Sequence, residues 1–236
     1  MTTILAIDTA TEACSVALYQ EGQYSELYEV VPRMHSQRLL PMLRELLSSG
    51  DLRSQGIEAI AYGCGPGSFT GLRIAASAVQ GLAYANGLPA IPVSTLACQA
   101  QTALRHGCVN PGEYVLSALD ARINEIYWSL FRVEDSIVRH CEGPVVCAPA
   151  QIEIGEEVAE ISGVGSGFGY RDDMPDAVTA RLKSVAGEVL PSARDMIPLA
   201  LEMFARGETR AAAEVLPVYV REEVSWKKLS EQGKRG

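Results

Sequence analysis

The sequence predicts an α/β protein of two lobes, each a mixed sheet covered by helices. Three features indicate this class. Short apolar runs alternate with segments of helical periodicity, and a glycine-rich run joins a strand to a helix. The second half also opens with the same strand–aspartate–turn–strand pattern as the first. A chain of 236 residues is long enough for one large domain or two small ones.

In the first half, strands and helices alternate. Apolar runs or period-two patterns predict strands over residues 4–7, 14–18, 24–31, 57–62 and 88–93. Helical spacing of apolar residues predicts helices over residues 35–49, about 70–86 and about 95–106. Gly50 is expected to end the first of these helices, and Ser68 or Thr70 to begin the second.

The second half begins with a hairpin that matches the first one. Residues 115–119 lead to Asp120, and after a turn residues 125–131 form the return strand. When the two hairpins are aligned, Asp120 falls on Asp8. The repeat suggests a duplicated fold with an N-terminal lobe over residues 1–108 and a smaller C-terminal lobe over residues 109–236. Packing of the last segment against the first lobe is left open.

Paired hairpins with facing aspartates resemble the plan of the actin-like superfold of sugar kinases and heat-shock ATPases. In that superfold each lobe supplies a hairpin that grips the phosphates, and glycines let backbone amides approach them. Neither hairpin here contains a glycine, and the first adds the carboxylate of Glu12. The sequence therefore predicts a degenerate nucleotide cleft, whose residues are Asp8, Thr9, Thr11, Asp120, Arg122, Gly165 and Gly167. The last two belong to a glycine-rich run that is either a vestigial adenosine-binding loop or a plain turn.

Composition excludes several classes of protein. A formal net charge of −9 without a basic stripe argues against a chain that holds most of an RNA by itself. No apolar run approaches the roughly 18 to 20 residues of a membrane span. The N-terminus lacks the basic region of a signal peptide, and the six cysteines form no Cys-x-x-Cys pair. These features predict a cytoplasmic protein with reduced thiols and no membrane contact.

The most specific motif runs from Gly63 to Ile74, Gly-Cys-Gly-Pro-Gly-Ser-Phe-Thr-Gly-Leu-Arg-Ile. Its spacing excludes a Walker A loop and the Rossmann fingerprint, and a plain strand-to-helix turn remains possible. With the segments at residues 4–11, 93–96, 120–125 and 217–221, the chain resembles the TsaB (YeaZ) family of bacterial tRNA threonylcarbamoyladenosine synthesis. The resemblance covers nearly the whole chain, and residues 35–42 and 226–228 add to it.

The resemblance implies a non-catalytic subunit. In this family the larger paralogue TsaD carries the metal and the nucleotide and modifies the adenosine beside the anticodon of tRNAs that read ANN codons. A third member, TsaE, is an ATPase. No cofactor is therefore expected on this chain alone; ATP or ADP and metal are expected in partner subunits, and tRNA contacts mainly through the complex.

The residue types agree with the absence of a catalytic centre. The chain has three histidines, and no two of them are four residues apart, so the metal-binding His-x-x-x-His pair of the catalytic relatives is missing. Ser68 does not lie in a Gly-x-Ser-x-Gly elbow. Neither catalytic nor metal-binding residues are predicted, and a peptidase activity has no visible nucleophile or metal.

The first two helices offer a docking surface instead. Small residues occupy most of the second helix, and the first carries an apolar arc wider than a surface helix needs. We expect them to pair with their counterparts in the paralogue, and with a second copy of this chain when the paralogue is absent. The predicted interface residues are His35, Leu39, Leu40, Leu43, Leu47, Arg73, Ser77, Gln80, Gly81 and Tyr84. The competing hypothesis is a stand-alone ATPase or small-molecule kinase of the same superfold.

Overall fold

The first half of the chain forms a five-stranded mixed sheet. The computed structural model describes residues 2–47 and 52–221. The sheet has the strand order β3-β2-β1-β4-β5, and β1, β2 and β3 are antiparallel whereas β1, β4 and β5 are parallel. Its central strands are buried along their whole length because helices cover both faces. The strands are β1 (Ile4–Asp8), β2 (Ala13–Gln20), β3 (Gln23–Val30), β4 (Ala59–Gly65) and β5 (Ala90–Ser94).

The second half repeats this topology. Its sheet has the order β10-β9-β6-β7-β8, in which β6, β7 and β8 are antiparallel and β6, β9 and β10 are parallel. Each strand therefore takes the position of its counterpart in the first sheet, and the predicted two-lobed α/β fold is confirmed. The strands are β6 (Tyr114–Arg122), β7 (Glu125–Glu134), β8 (Ile137–Cys147), β9 (Ile161–Val164) and β10 (Leu182–Ala186).

The two lobes differ in the helices that connect their strands. In the first lobe the crossovers are α1 (His35–Leu46) and α2 (Phe69–Asn86), and Ser68 caps α2 through its side chain. In the second lobe the equivalent crossovers contain only short 3₁₀ turns and the four-residue α4 (Asp176–Thr179). The predicted helix end at Ser49 and Gly50, and residues 226–228, lie outside the described residues.

The last helix of each lobe covers the sheet of the other lobe. α3 (Thr95–Arg105) follows β5 but packs on β6, β7 and β8, whereas α5 (Ala193–Ala205) packs on β1, β2 and β4. The two helices also contact each other, and Arg105 donates two hydrogen bonds of 2.6 and 2.8 Å to Asp195. The lobes thus share a central helical layer. The division near residue 108 stays a prediction.

Among residues 2–47 and 52–221, the structure has no helix that is both long enough and apolar enough to cross a bilayer.

Candidate functional site

Asp8 ends strand β1 at the base of the first hairpin and is completely buried. Its Oδ1 accepts a hydrogen bond of 3.1 Å from the backbone N–H of Ala10. Its Oδ2 is buried and has no hydrogen-bond partner among the described residues. Burial raises the pKa of Asp8 to about 7, and the Ala10 N–H offsets only part of that rise.

The chain's own glycine-rich loop covers the turn of the first hairpin. The backbone N–H of Ser68 donates to the carbonyl of Ala10 at 2.7 Å, and the Thr9 hydroxyl donates to the carbonyl of Gly71 at 2.7 Å. A Cβ atom added at Gly67 or Gly71 would overlap the carbonyl oxygens of this turn. The glycines of the motif therefore permit close packing of α2 on the hairpin. The positive end of α2 faces a carbonyl of the protein itself.

The second hairpin carries a network of paired charges. Asp120 accepts hydrogen bonds from the backbone N–H of Arg122 at 2.7 Å and from its Nη1 at 3.0 Å. The same guanidinium lies 3.7 Å from the carboxylate of Glu12 on the first hairpin. The two hairpins therefore face each other, as predicted, and Arg122 bridges the acidic groups of both lobes.

Gly165 and Gly167 pack against strand β6 of their own lobe. A Cβ atom at Gly165 would overlap the Ala118 carbonyl and the amide of Gln99, and one at Gly167 would lie within 2.7 Å of the Ala118 side chain. Ser166 Oγ in the same run accepts a hydrogen bond of 3.1 Å from the backbone N–H of Asp120. These glycines serve internal packing, so the run is not simply a flexible turn.

The turn of the first hairpin does not offer the free backbone amides of a phosphate loop. A phosphate needs backbone N–H groups that face open space. Here the turn residues Thr9 and Ala10 are fully buried, and the N–H of Ala10 is taken by Asp8. We therefore assign no phosphate or metal chemistry to the cleft.

Other catalytic groups receive no support from the described part of the chain. It contains no cluster of three His, Cys, Asp or Glu side chains that could hold a metal ion. Burial raises the pKa of the Cys14 thiol to about 11 and that of Cys64 to about 12, which disfavours the nucleophilic thiolate. His35 Nε2 lies 3.2 Å from the carbonyl of Ala13, so this ring has a structural partner.

An open groove of about 600 Å³ lies between α1 and α2. Its walls are mostly apolar, and Leu40 and Phe69 on its rim are 52% and 56% exposed. Tyr84, further along α2, is 83% exposed. The lining residues are Ser36, Leu39, Leu40, Phe69, Thr70, Arg73, Ile74, Ser77 and Ala78.

Seven of the ten predicted interface residues are at least partly exposed, and three of these, Leu40, Arg73 and Ser77, line the groove. Leu40, Arg73, Ser77, Gln80, Gly81 and Tyr84 are exposed, and Leu47 is half-buried. The other three are buried. Leu39 still lines the groove floor, but His35 and Leu43 face the sheet because they share the apolar stripe of α1 with Met42. His35 and Leu43 are therefore not part of the exposed surface of α1 and α2.

Sequence reasoning missed two aromatic residues beside the groove. Phe69 falls in register with the buried stripe of α2, so its spacing predicts burial, yet it lies in the first turn beyond the edge of the core. Tyr219 reaches the same place from the C-terminal segment, and its ring centroid lies 5.4 Å from that of Phe69. No local pattern signals a contact between residues so far apart in the chain.

Two lobes with the same strand order and facing aspartate hairpins define a protein of the actin-like ATPase fold class. A family model described as "TsaD: tRNA N6-adenosine threonylcarbamoyltransferase" matches residues 24–223. The tRNA threonylcarbamoyladenosine biosynthesis protein TsaB of Escherichia coli K12 is 44% identical over 231 residues, which cover 96% of this chain and 97% of that protein. The TsaB protein of Haemophilus influenzae is 38% identical over 239 residues, with coverage of 96% and 97%.

Solved structures of similar fold point to the same family as these relatives. YeaZ from Pseudomonas aeruginosa superimposes with a TM-score of 0.83 at 43% identity, over 93% of this chain and all of that chain. A second Pseudomonas aeruginosa structure, described as similar to the peptidase YeaZ, has the same TM-score at 42% identity, over 94% of this chain and all of that one. The chain belongs to the TsaB (YeaZ) family.

Proposed function

We propose that this chain is a non-catalytic partner subunit in the formation of threonylcarbamoyladenosine on tRNA. It supports a TsaD-like catalytic paralogue, which supplies the nucleotide and metal chemistry, in a cytoplasmic complex that also includes a TsaE-like ATPase. Two lines of support are independent of each other. The relatives named above are biosynthesis proteins for this modification, and the turn of the first hairpin packs against the chain's own glycine-rich loop.

The closely packed turn of the first hairpin is the observation that supports the non-catalytic role. An actin-like ATPase or kinase uses the backbone of its hairpin turns to hold phosphates, whereas here the turn bonds to the start of α2 and its glycine-rich loop. Freeing the turn would break the Ser68–Ala10 and Thr9–Gly71 hydrogen bonds. A stand-alone ATPase or kinase is therefore the weaker candidate.

The α1–α2 groove is the proposed docking surface for the paralogue. It combines apolar walls with an exposed ridge of small residues, and a Cβ atom added at Gly81 would meet nothing within 4 Å. Such a surface allows the backbone of a partner helix to approach closely, and a few central apolar anchors then dominate the affinity. Because the paralogue shares the fold, we expect a pseudo-two-fold interface. The same surface pairs with a second copy when the paralogue is absent.

Gly81→Glu tests this docking, with Gly169→Glu as the matched control. Both glycines are exposed, and neither has an atom within 4 Å of an added Cβ, but Gly169 lies in the second lobe. Glutamate is the better helix former, so Gly81→Glu should fold at least as well as wild type. We expect Gly81→Glu to abolish co-purification with the paralogue and to lower threonylcarbamoyladenosine in tRNA of a complemented deletion strain. Gly169→Glu should do neither.

Two results would count against the proposal. A folded Gly81→Glu chain that still co-purifies in full with the paralogue would contradict the assignment of the α1–α2 groove as the docking surface. Calorimetry of the isolated chain with Mg·ATP tests whether the cleft binds a nucleotide. We expect no saturable binding tighter than about 1 mM, which corresponds to roughly 4 kcal/mol. Micromolar binding with turnover would favour the ATPase hypothesis instead.

A further inference from the structure

Arg73 is held in a fixed orientation at the rim of the groove. Its guanidinium carbon lies 3.8 Å from the ring centroid of Phe69, which is a close cation–π stack. Its Nε donates a hydrogen bond of 2.9 Å to the hydroxyl of Tyr219. The side chain is thus fixed on two sides although the residue is exposed.

Tyr219 can serve as a support because the C-terminal segment is itself anchored. The backbone N–H of Val218 donates to the carbonyl of Cys64 at 2.7 Å, and the Tyr62 hydroxyl donates to the carbonyl of Leu216 at 3.2 Å. A Cβ atom at Gly65 would lie 2.6 Å from the Val218 carbonyl, so glycine permits this close approach. Residues 215–221 therefore lie across the glycine-rich loop and bring Tyr219 to α2.

The terminal nitrogens of Arg73 have no carboxylate partner within the described ranges, in contrast to those of Arg38 and Arg139. Arg38 pairs with Glu29, and Arg139 pairs with Glu202. Arg73 is also the charged member of the set that lines the groove. An oriented guanidinium with both Nη groups available matches the geometry of a carboxylate, which it binds through two parallel hydrogen bonds.

We propose that Arg73 is a preorganised receptor for one carboxylate side chain of the docked paralogue, and that Tyr219 is its positioning residue. The C-terminal segment is then part of the docking surface, together with α1 and α2. This inference rests on the proposed function, because the carboxylate belongs to the partner. A carboxylate fits better than an apolar group, since an apolar contact would cover the guanidinium and leave its donors unpaired.

The test measures the dissociation constant between the full-length chain and the TsaD-like protein encoded in the same genome. We expect Arg73→Gln to weaken binding about 10- to 100-fold. Arg73→Lys should recover only part of this loss, because an ammonium group neither stacks in the same way nor offers a planar pair of donors. The wild-type dissociation constant should rise with salt more steeply than that of Arg73→Gln.

The positioning role of Tyr219 is tested by a double-mutant cycle. Tyr219→Phe keeps the ring and removes the hydroxyl that accepts from Arg73, and it should weaken binding about 3- to 10-fold. Combined with Arg73→Gln it should add no further loss, because the two residues act as one unit. Additive losses would overturn the positioning role. Melting temperatures close to wild type confirm that the variants are folded, and Arg73→Lys carries the test should Arg73→Gln melt early.

The outcomes separate this inference from the proposed function. Absence of wild-type binding would contradict the proposed function itself. Wild-type binding with an Arg73→Gln variant that binds within twofold would overturn only the carboxylate receptor. If Arg73→Gln weakens binding solely when ADP or ATP is present, Arg73 contacts a phosphate, and the carboxylate receptor is also overturned.

Discussion

Replacing Asp8 by asparagine should stabilise the protein at neutral pH and remove much of its pH dependence. The wild-type carboxyl is fully buried, accepts one hydrogen bond from Ala10 and leaves Oδ2 without a partner. Asparagine has nearly the same shape as the protonated carboxyl and can accept the same hydrogen bond. It carries no charge at any pH, so the folded state no longer has to bury a carboxylate.

The magnitude follows from the pKa of Asp8. Burial raises this pKa from 3.8 to about 7. One pKa unit corresponds to about 1.4 kcal/mol, so the ionised carboxylate costs the folded state about 4 kcal/mol. The folded state binds the Asp8 proton more tightly than the unfolded state. The contribution of protonated Asp8 to the free energy of unfolding is therefore fully present below about pH 4 and is lost as the pH rises through 7.

Thermal and urea unfolding of wild type and Asp8→Asn, measured from about pH 4 to about pH 8, provide the assay. Near pH 4 the two proteins should differ by less than about 1 kcal/mol, and near pH 8 the variant should be more stable by about 4 kcal/mol. For a chain of this size that gain raises the melting temperature by roughly 10 °C.

Asp120→Asn is the matched control for this series. Asp120 lies two residues before the end of the equivalent strand β6, but its carboxylate pairs with Arg122 and its side chain is 23% exposed. This control should show no comparable gain near pH 8. Parallel pH profiles for wild type and Asp8→Asn, or a less stable variant near pH 8, would refute the account of Asp8 as an unpaired buried acid.

Further predictions concern close packing and the contact between lobes. Gly71→Ala should destabilise the protein by about 3 kcal/mol in urea unfolding, because its Cβ would overlap the Thr9 carbonyl. Gly81→Ala should stabilise it by up to about 1 kcal/mol, because its Cβ enters open space and alanine is the better helix former. Arg221→Met should increase amide exchange at the tip of the β6–β7 hairpin, where Arg221 bonds Glu125 and the backbone. Arg206→Met removes ion pairs with Glu202 and Glu208 on the last helix and the turn after it, and it should leave that hairpin unchanged. Unaltered stability in Gly71→Ala, or unaltered exchange in Arg221→Met, would contradict these contacts.

The first lobe was accessible to sequence reasoning because its elements have strong local patterns. All five of its strands and the described parts of its three helices occur near the predicted positions. In the second lobe only β6 and β7 were predicted. β8 contains Arg139, His140, Glu142 and Pro144, β9 is four residues long with a glycine, and β10 is largely exposed. None of these strands has the alternation that reveals a half-buried strand.

The candidate site was predictable in its residue types but not in its contacts. The absence of glycine from both hairpins already argued against phosphate binding. The packing of the first hairpin against the α2 loop depends on a contact between Thr9 and Gly71, which are 62 residues apart. The burial of His35 and Leu43 likewise depends on how α1 is rotated about its axis on the sheet. Helical spacing shows which residues share a face of the helix, but it does not show which edge of that face is exposed to solvent.

The difference between the two lobes bears on how the chain assembles. Both lobes have the same sheet, but long crossover helices occur only in the first, where they form the groove; the second lobe has 3₁₀ turns and α4 in their place. In the described part of the chain the proposed docking surface is therefore present once, although the fold is duplicated. A single self-complementary surface closes a complex at two subunits, whereas two such surfaces would build larger assemblies. We therefore expect the paralogue and a second copy of this chain to compete for one groove, so that adding the paralogue converts homodimer into heterodimer without higher assemblies built through this surface.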